Sequence, residues 1–357
     1  MKLLINTPDI KMLGGVANHY KGLLPHWKCI VHYNHIGSRQ KLSGFIAFPF
    51  DILKFIFKLT IGRYDIIILN PSLTTQSVIR DGIFLLIASL YSTKKIVFFH
   101  GWESATANRI SKNPKVFATI YSKADCFMVL ATSFKTQLHE WGIRKPVFLT
   151  STKFDDRLIE GRDIRAREHA ESLLFLARIE KEKGIFTALA AMKILQSDFP
   201  NLRLKVVGDG GALQEAKRFT IESKIDNVEF FGMLTGDKIS DVFMQSDIYL
   251  LPTWSEGMPT SILEAMAFGL PVITRPVGGI CDFFINEKMG ELVESKNPVD
   301  FALAIRKILE NNSVLRNTSE FNIKFSRDNF AASKVARDLE SKFNSILEEN
   351  LQTNRSK

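Results

Sequence analysis

The sequence predicts an α/β protein made of two doubly wound parallel sheets. Short, nearly continuous apolar runs alternate with helical patterns along the whole chain, and one polar, charge-rich stretch breaks the alternation near its middle. Strands that are apolar on both faces belong in parallel sheets covered by helices on each side. A length of 357 residues, 45% of them hydrophobic, suits two domains of ordinary size.

In the first half "LLIN", "CIVHY", "DIIILN", "KIVFFH", "CFMVLA" and "VFLT" read as strands. In the second, "LLFLAR", "LRLKVVG", "VEFFG", "DIYLLP" and "PVIT" do so. The stretch "STKFDDRLIEGRDIRAREHAES" (151–172) lacks periodicity over much of its length and reads as the linker, with the boundary near 165–170. The domains are then 1–165 and 166–329. A last helix over 330–349 carries Phe330, Val335, Leu339, Phe343, Ile346 and Leu347 near helical spacing, and a frayed polar tail follows Asn350. Open α/β sheets bind ligands outside the carboxyl ends of their strands, so the expected site is a cleft faced by those ends.

Composition is that of a soluble globular protein. Met1 leads directly into a strand, with no signal peptide ahead of it. The longest apolar run, "GIFLLIASLY" (82–91), falls short of the roughly 20 residues of a membrane span and reads as a buried helix. Cys29, Cys126 and Cys281 form neither a metal-ligand spacing nor an even disulfide set, which points to a reducing cytoplasm. The net charge of +9 is uneven: residues 1–165 carry 23 Lys and Arg against 11 Asp and Glu, and residues 166–357 carry 24 against 27. No nucleic-acid-binding motif accompanies the basic half, so an anionic membrane surface or an anionic acceptor fits it at least as well. Within it, "AFPFDILKFIFKLTIGRYD" (47–65) interleaves Phe48, Phe50, Phe55 and Phe57 with Lys54, Lys58 and Arg63. Two readings stay open there: an amphipathic helix on a membrane surface, and a core helix with snorkelling lysines.

Five stretches could carry chemistry. Gly14 and Gly15 in "MLGGVANHY" sit where a loop enters a helix, so backbone N–H groups there can approach an anion; an ordinary strand-to-helix turn would have the same sequence. In "FLARIEKEKGI", Arg178 closes a strand and Lys183 follows five residues later. Two cations at a strand's carboxyl end suit a diphosphate, although alternating charge is more often solvated surface. "VVGDGGALQE" has Gly208 and Gly210 but Leu213 where a dinucleotide fingerprint needs its third glycine, so Gly208 reads as a tight turn close to a base or phosphate. In "VFFHGWES", His100 follows a strand directly; it could contact a substrate or donate to a leaving group, or be structural.

The fifth stretch, "PTWSEGMPTSILEAMAFGLPVIT" (252–274), is the most informative. A strand ends at Pro252, a loop carries Glu256, and a helix begins with Thr260 as the expected N-cap. N–H groups of Gly257, Met258, Thr260 and Ser261 lie at that helix entry, positioned for an anion or sugar hydroxyls. Glu264 lies one turn inside, on a face otherwise made by Ile262, Leu263, Ala265 and Met266. A carboxylate there is costly unless it is paired or bonded to a ligand, and ribose hydroxyls would satisfy it. A partly exposed helix glutamate is the plain alternative, but the Gly14–Gly15, Arg178–Lys183 and Gly208–Gly210 stretches together favour the ligand. D-x-D, H-x-x-x-H, C-x-x-C, G-x-S-x-G and Walker A motifs are missing from the sequence, so no metal is implied.

"GGV", R-x4-K-G, "VGDG" and "EGMPTSILEAMAFGLPVI", in this order, resemble the retaining glycosyltransferases of family 4 (glycosyl transferases group 1, GT-B fold with two Rossmann-like domains). The resemblance is strongest over 173–325, and its most specific part is the E-x7-E spacing. It implies that Arg178 and Lys183 bind the donor diphosphate and stabilise the leaving group, that Glu256 contacts the donor sugar, and that Glu264 binds the ribose. The 257–261 turn would hold sugar and phosphates, Gly14 and Gly15 would let the first domain close over the diphosphate, and His100 would lie beside the sugar. The last helix would cross back to the first domain. Two departures stand out: "GGICDFF" puts Cys281 and Asp282 where Pro-Glu is frequent, and Lys181 stands where Pro is frequent. The implied partners are a nucleotide-diphosphate sugar and a glycan or lipid-linked acceptor of bacterial surface polysaccharide or lipopolysaccharide assembly. No cofactor and no nucleic acid are implied, and the implied location is the cytoplasm, peripheral at the inner membrane face. A sugar-nucleotide epimerase of the same fold and a non-catalytic sugar-nucleotide-binding protein are the alternatives.

Overall fold

The computed structural model describes residues 1–12, 14–37 and 44–355. It divides into two compact units: Met1–Lys153 with Ala332 onward, and Phe154–Ala331. In unit 1 the strands are β1 (Lys2–Thr7), β2 (Ile30–His35), β3 (Ile66–Leu69), β4 (Ser72–Leu73), β5 (Lys94–Phe99), β6 (Gly101–Trp102), β7 (Cys126–Val129) and β8 (Val147–Leu149). Its helices are α1 (Gly15–Leu23), α2 (Gly44–Gly62), α3 (Thr75–Ala88), α4 (Ser104–Lys112), α5 (Lys115–Tyr121) and α6 (Thr132–Glu140). Unit 2 holds β9 (Ser172–Leu176), β10 (Arg203–Val207), β11 (Val228–Gly232), β12 (Ile248–Leu251), β13 (Val272–Thr274) and β14 (Gly290–Leu292). Its helices are α7 (Ile185–Leu195), α8 (Leu213–Glu222), α9 (Asp237–Met244), α10 (Thr260–Ala267), α11 (Ile280–Phe283), α12 (Pro298–Leu309) and α13 (Asn312–Phe330); α14 (Ala332–Arg355) returns to unit 1.

Each unit is wound on a parallel six-stranded sheet. The orders are β2-β1-β3-β5-β7-β8 and β11-β10-β9-β12-β13-β14. Counted by appearance, the second reads 3-2-1-4-5-6, the order of dinucleotide-binding folds, with its switch point between β9 and β12. The first reads 2-1-3-4-5-6 once the short parallel pair β4–β6 is set aside, and it switches between β1 and β3. The apolar runs explain the strands: Leu3, Leu4 and Ile5, Ile66 to Leu69, and Ile248 to Leu251 are all buried, as parallel strands covered on both faces require.

The division falls at Lys153/Phe154, twelve residues before the 165/166 boundary read from the sequence. The polar stretch contains apolar anchors that pack on unit 2. Phe154 is fully buried with Leu263, Ala267 and Phe330, and its N–H donates to Phe330 O at 2.9 Å. Ser240 Oγ donates to Leu158 O (2.9 Å), and Arg162 pairs with Asp237 and Asp241.

The last helix also differs from expectation. Phe330 ends α13, and α14 starts at Ala332 and stays helical to Arg355, so no frayed tail begins at Asn350. "EENLQTNR" contains neither Gly nor Pro to stop it. Glu340 anchors α14 within unit 1, its Oε1 accepting from the N–H groups of Lys28 (2.7 Å) and Cys29 (2.8 Å).

Helix α2 is neither wholly core nor wholly surface. Ala47, Asp51, Phe55 and Leu59 are buried, whereas Ile46, Phe50, Leu53, Phe57 and Ile61 are exposed. Lys58 snorkels, its Nζ donating to Tyr33 O at 2.6 Å.

Candidate functional site

The switch point of unit 2 gathers the residues singled out in the second half of the chain. Arg178 lies two residues past the end of β9 and is exposed. The chain then makes a single 3-10 turn over Lys181–Lys183 and enters α7 through Gly184, which has φ +80°. That glycine has two reasons to be there: left-handed backbone, and a close approach in which a Cβ would overlap Pro252 O beyond β12. Two further contacts stitch the β9 and β12 loops together. Trp254 N donates to Glu182 O (2.8 Å), and Thr253 Oγ1 donates to the same oxygen (3.3 Å).

This stitching places Lys183 against Glu256. Lys183 Nζ donates to Glu256 Oε1 at 2.6 Å, with the side chains only 16% and 10% exposed. An ammonium has three donors and a carboxylate four acceptor directions, so each partner keeps capacity for a ligand.

Beyond Glu256, Gly257 and Met258 lead to α10. Thr260 is not the N-cap, in contrast to the sequence reading. Pro259 occupies the cap position in extended geometry (φ −70°, ψ 119°), and Thr260 is the first helical residue. Proline's fixed φ allows that conformation, and the cap makes no side-chain hydrogen bond. The first N–H groups of α10 have no intrahelical partner, so with no capping side chain they present a partial positive charge. Ser261 is held from below: the Tyr249 hydroxyl bridges Leu176 O (2.8 Å) and Ser261 Oγ (2.7 Å). Burial pushes the Tyr249 phenol far up, with the Glu264 and Glu256 carboxylates adding to the shift, so it stays protonated. Glu264 is buried on α10, at 8% exposure.

Gly208 lies directly after β10, where the chain turns sharply. Its φ is +135°, and a Cβ there would overlap Ala177 O, so this glycine lets the β9 and β10 loops nest on each other. Sequence reasoning passed over Gly278 and Gly279. Gly279 N donates to Gly257 O (2.6 Å), and Gly278 has φ +56° at a place where a Cβ would overlap Glu256 O. The double glycine after "PVIT" was the available signal. Gly278→Ala is expected to cost about 1–2 kcal/mol from its left-handed backbone alone. Because the displaced atom is Glu256 O, turnover should fall more than the melting temperature implies; unchanged turnover in a folded variant would show that the turn tolerates the shift.

Gly14, Gly15 and His100 lie in unit 1. Gly14 precedes α1 and Gly15 is its first residue, and a Cβ at either would meet nothing within 4 Å. His100 sits at the end of β5 over a polar floor at the β1/β3 switch point. Asn70 Nδ2 donates to Asn6 O (2.9 Å), which leaves Asn70 Oδ1 to accept from Tyr20 OH (2.6 Å) and His100 Nε2 (3.0 Å). His100 therefore carries its proton on Nε2. Burial lowers its pKa to about 3, so the ring is neutral and its only N–H is already committed. That argues against proton donation to a leaving group and leaves Nδ1 as an acceptor. Asn70, Tyr20 and His19 were missed; the Asn that closes "DIIILN" was the signal for the first.

Residues 157–325 match the family model of glycosyl transferases group 1. This segment belongs to the glycosyl transferases group 1. The chain is also similar to TuaC of Bacillus subtilis, whose name assigns it as a glycosyltransferase to teichuronic acid biosynthesis: 34% identity over 134 residues, 38% of this chain and 32% of TuaC. Across eight curated relatives, the chain spans from 24% to 67% of their length. Among solved structures, a sucrose-phosphate synthase from Thermosynechococcus elongatus superposes with a TM-score of 0.76 at 18% identity, covering 98% of this chain and 99% of that one. Anabaena HepE in complex with UDP and glucose gives 0.72 at 16% identity, covering 97% and 100%. The fold around the group 1 segment is GT-B.

Proposed function

We propose that the chain is a retaining glycosyltransferase of the family 4 type. It moves a sugar from a nucleotide-diphosphate sugar to a glycan or lipid-linked acceptor in bacterial surface polysaccharide or lipopolysaccharide assembly. The observation that carries this reading is the Lys183–Glu256 contact at the β9/β12 switch point, beside exposed Arg178 and the open end of α10. When the bond from the anomeric carbon to the diphosphate breaks, negative charge grows on the departing phosphate oxygens. Arg178 and Lys183 supply fixed positive charge there, and the α10 N–H groups add to it. Through its contact with Lys183, Glu256 joins the phosphate end of the donor to the sugar end, where its free oxygen accepts from a hydroxyl. Glu264 takes the ribose, and unit 1 takes the acceptor. HepE, which shares the fold, is known in complex with UDP and glucose, and TuaC's name places it in a polysaccharide pathway; both favour this reading.

A panel of nucleotide sugars screened by thermal shift tests it, because a ligand of the native state raises its apparent stability. At least one should stabilise the wild type. Arg178→Ala and Glu264→Ala should each weaken that binding on the order of tenfold, as expected for loss of a charge-assisted contact. A protein that binds no nucleotide sugar, or whose binding is indifferent to Arg178→Ala, would sink the proposal. Binding without transfer or hydrolysis would favour the non-catalytic binding protein.

A further inference from the structure

Helix α2 leaves one face uncovered. Ile46, Phe50, Leu53, Ile56, Phe57 and Ile61 are between 36% and 66% exposed. They recur at three- and four-residue intervals and so form one stripe, about 22 Å long at 1.5 Å per residue. Single exposed apolar residues are ordinary; six aligned on one helix are an interaction surface.

The charges around the stripe indicate what covers it. Asp51, the helix's only acid, is buried, and its Oδ2 accepts from Gly37 N at 2.8 Å, so no carboxylate faces outward. Lys54 and, just past the helix end, Arg63 are exposed beside it. The whole of unit 1 carries 25 Lys and Arg against 11 Asp and Glu, a net of +14.

We propose that α2 lies in the plane of an anionic lipid bilayer surface. The stripe enters the boundary between headgroups and acyl chains, and Lys54 and Arg63 meet the lipid phosphates. No helix among the described residues is long and apolar enough to cross a membrane, so the attachment is to one leaflet. A second copy of the chain is a poorer occupant, because pairing two stripes would bring together two units of +14. The proposal does not depend on the glycosyl-transfer reading.

Sedimentation of the full chain with phosphatidylglycerol–phosphatidylcholine vesicles and with pure phosphatidylcholine vesicles tests it. Binding to the mixed vesicles should be about tenfold stronger or more. The double variant Phe50→Ser/Phe57→Ser should lose at least about tenfold in binding, since each ring leaves the bilayer interface. Its melting temperature should hold, because both rings are exposed. Lys54→Glu/Arg63→Glu, also on exposed side chains, should weaken binding to the mixed vesicles and spare the weak binding to neutral ones. The proposal is overturned if the wild type stays in the supernatant with anionic vesicles, or if the serine variant binds as the wild type does. A wild-type dimer that the serine variant dissociates, with no vesicle binding, would assign the stripe to a second copy instead.

Discussion

Lys183→Ala is expected to lower turnover by a factor on the order of 10²–10³, the scale seen when one preorganised donor to a developing anion is removed. Two losses combine in this variant. The leaving diphosphate loses a fixed cation, and Glu256, only 10% exposed, loses the partner 2.6 Å away. A part-buried carboxylate without its cation pays a desolvation cost or turns toward other groups, so its hold on the sugar should slip as well. Glu256→Ala should therefore cost a similar factor, and the double variant should be about as slow as either single one. Groups that act as a unit are non-additive in this way. Lys183→Arg should rescue little, because a planar guanidinium does not replace a compact ammonium wedged between two stitched loops. Single-turnover transfer or donor hydrolysis on the four proteins decides the point. If the two single factors multiply in the double variant, the pair does not work as one element.

The parts of this site differ in how visible they are in the sequence, and the difference follows contact range. Strands such as Ile66–Leu69 and Ile248–Leu251 were visible because burial on both faces leaves an unbroken apolar run. Strand β14 was not visible: it has three residues and carries a glutamate, Glu291. Glu256 and Glu264 were visible as local punctuation around a helix entry. The Lys183–Glu256 contact was not, because it spans 73 residues and depends on β9 and β12 being sheet neighbours. Nothing local in "RIEKEKG" specifies that adjacency. Gly208 shows the converse case. Its positive φ could be anticipated, but the surface it nests on, Ala177 O, belongs to another loop. The end of β5 was recognisable as the place of His100, yet its tautomer is set by Asn70, thirty positions earlier in the chain.

That polar floor carries the largest expected effect on stability: unit 1 should lose at least about 2 kcal/mol on acidification from pH 7 to pH 5. Burial holds His100 down to about 3. Burial also holds His19 well below its ordinary 6.5, helped by His100 and by Lys153. The rings touch, with centroids 4.9 Å apart, so protonating one further opposes protonating the other. In the unfolded chain both titrate near 6.5. Below that pH the unfolded state takes up protons that the folded state refuses, and stability falls as pH drops. The stabilisation is complete above about 6.5 and drains as pH falls from there toward 3. At pH 5 His100, neutral in the folded state, contributes about 2 kcal/mol of loss, and His19 adds to it in the same direction. Carboxylates in the unfolded chain titrate mostly below this window, which leaves the histidines as its main source. Urea unfolding at pH 7, 6 and 5 reads the slope directly. His100→Gln, whose amide can still donate to Asn70 Oδ1, should remove about 2 kcal/mol of the loss between pH 7 and pH 5 while keeping the fold. An unchanged slope in that variant would show that the acid sensitivity lies elsewhere, and that His100 takes up its proton in the folded chain.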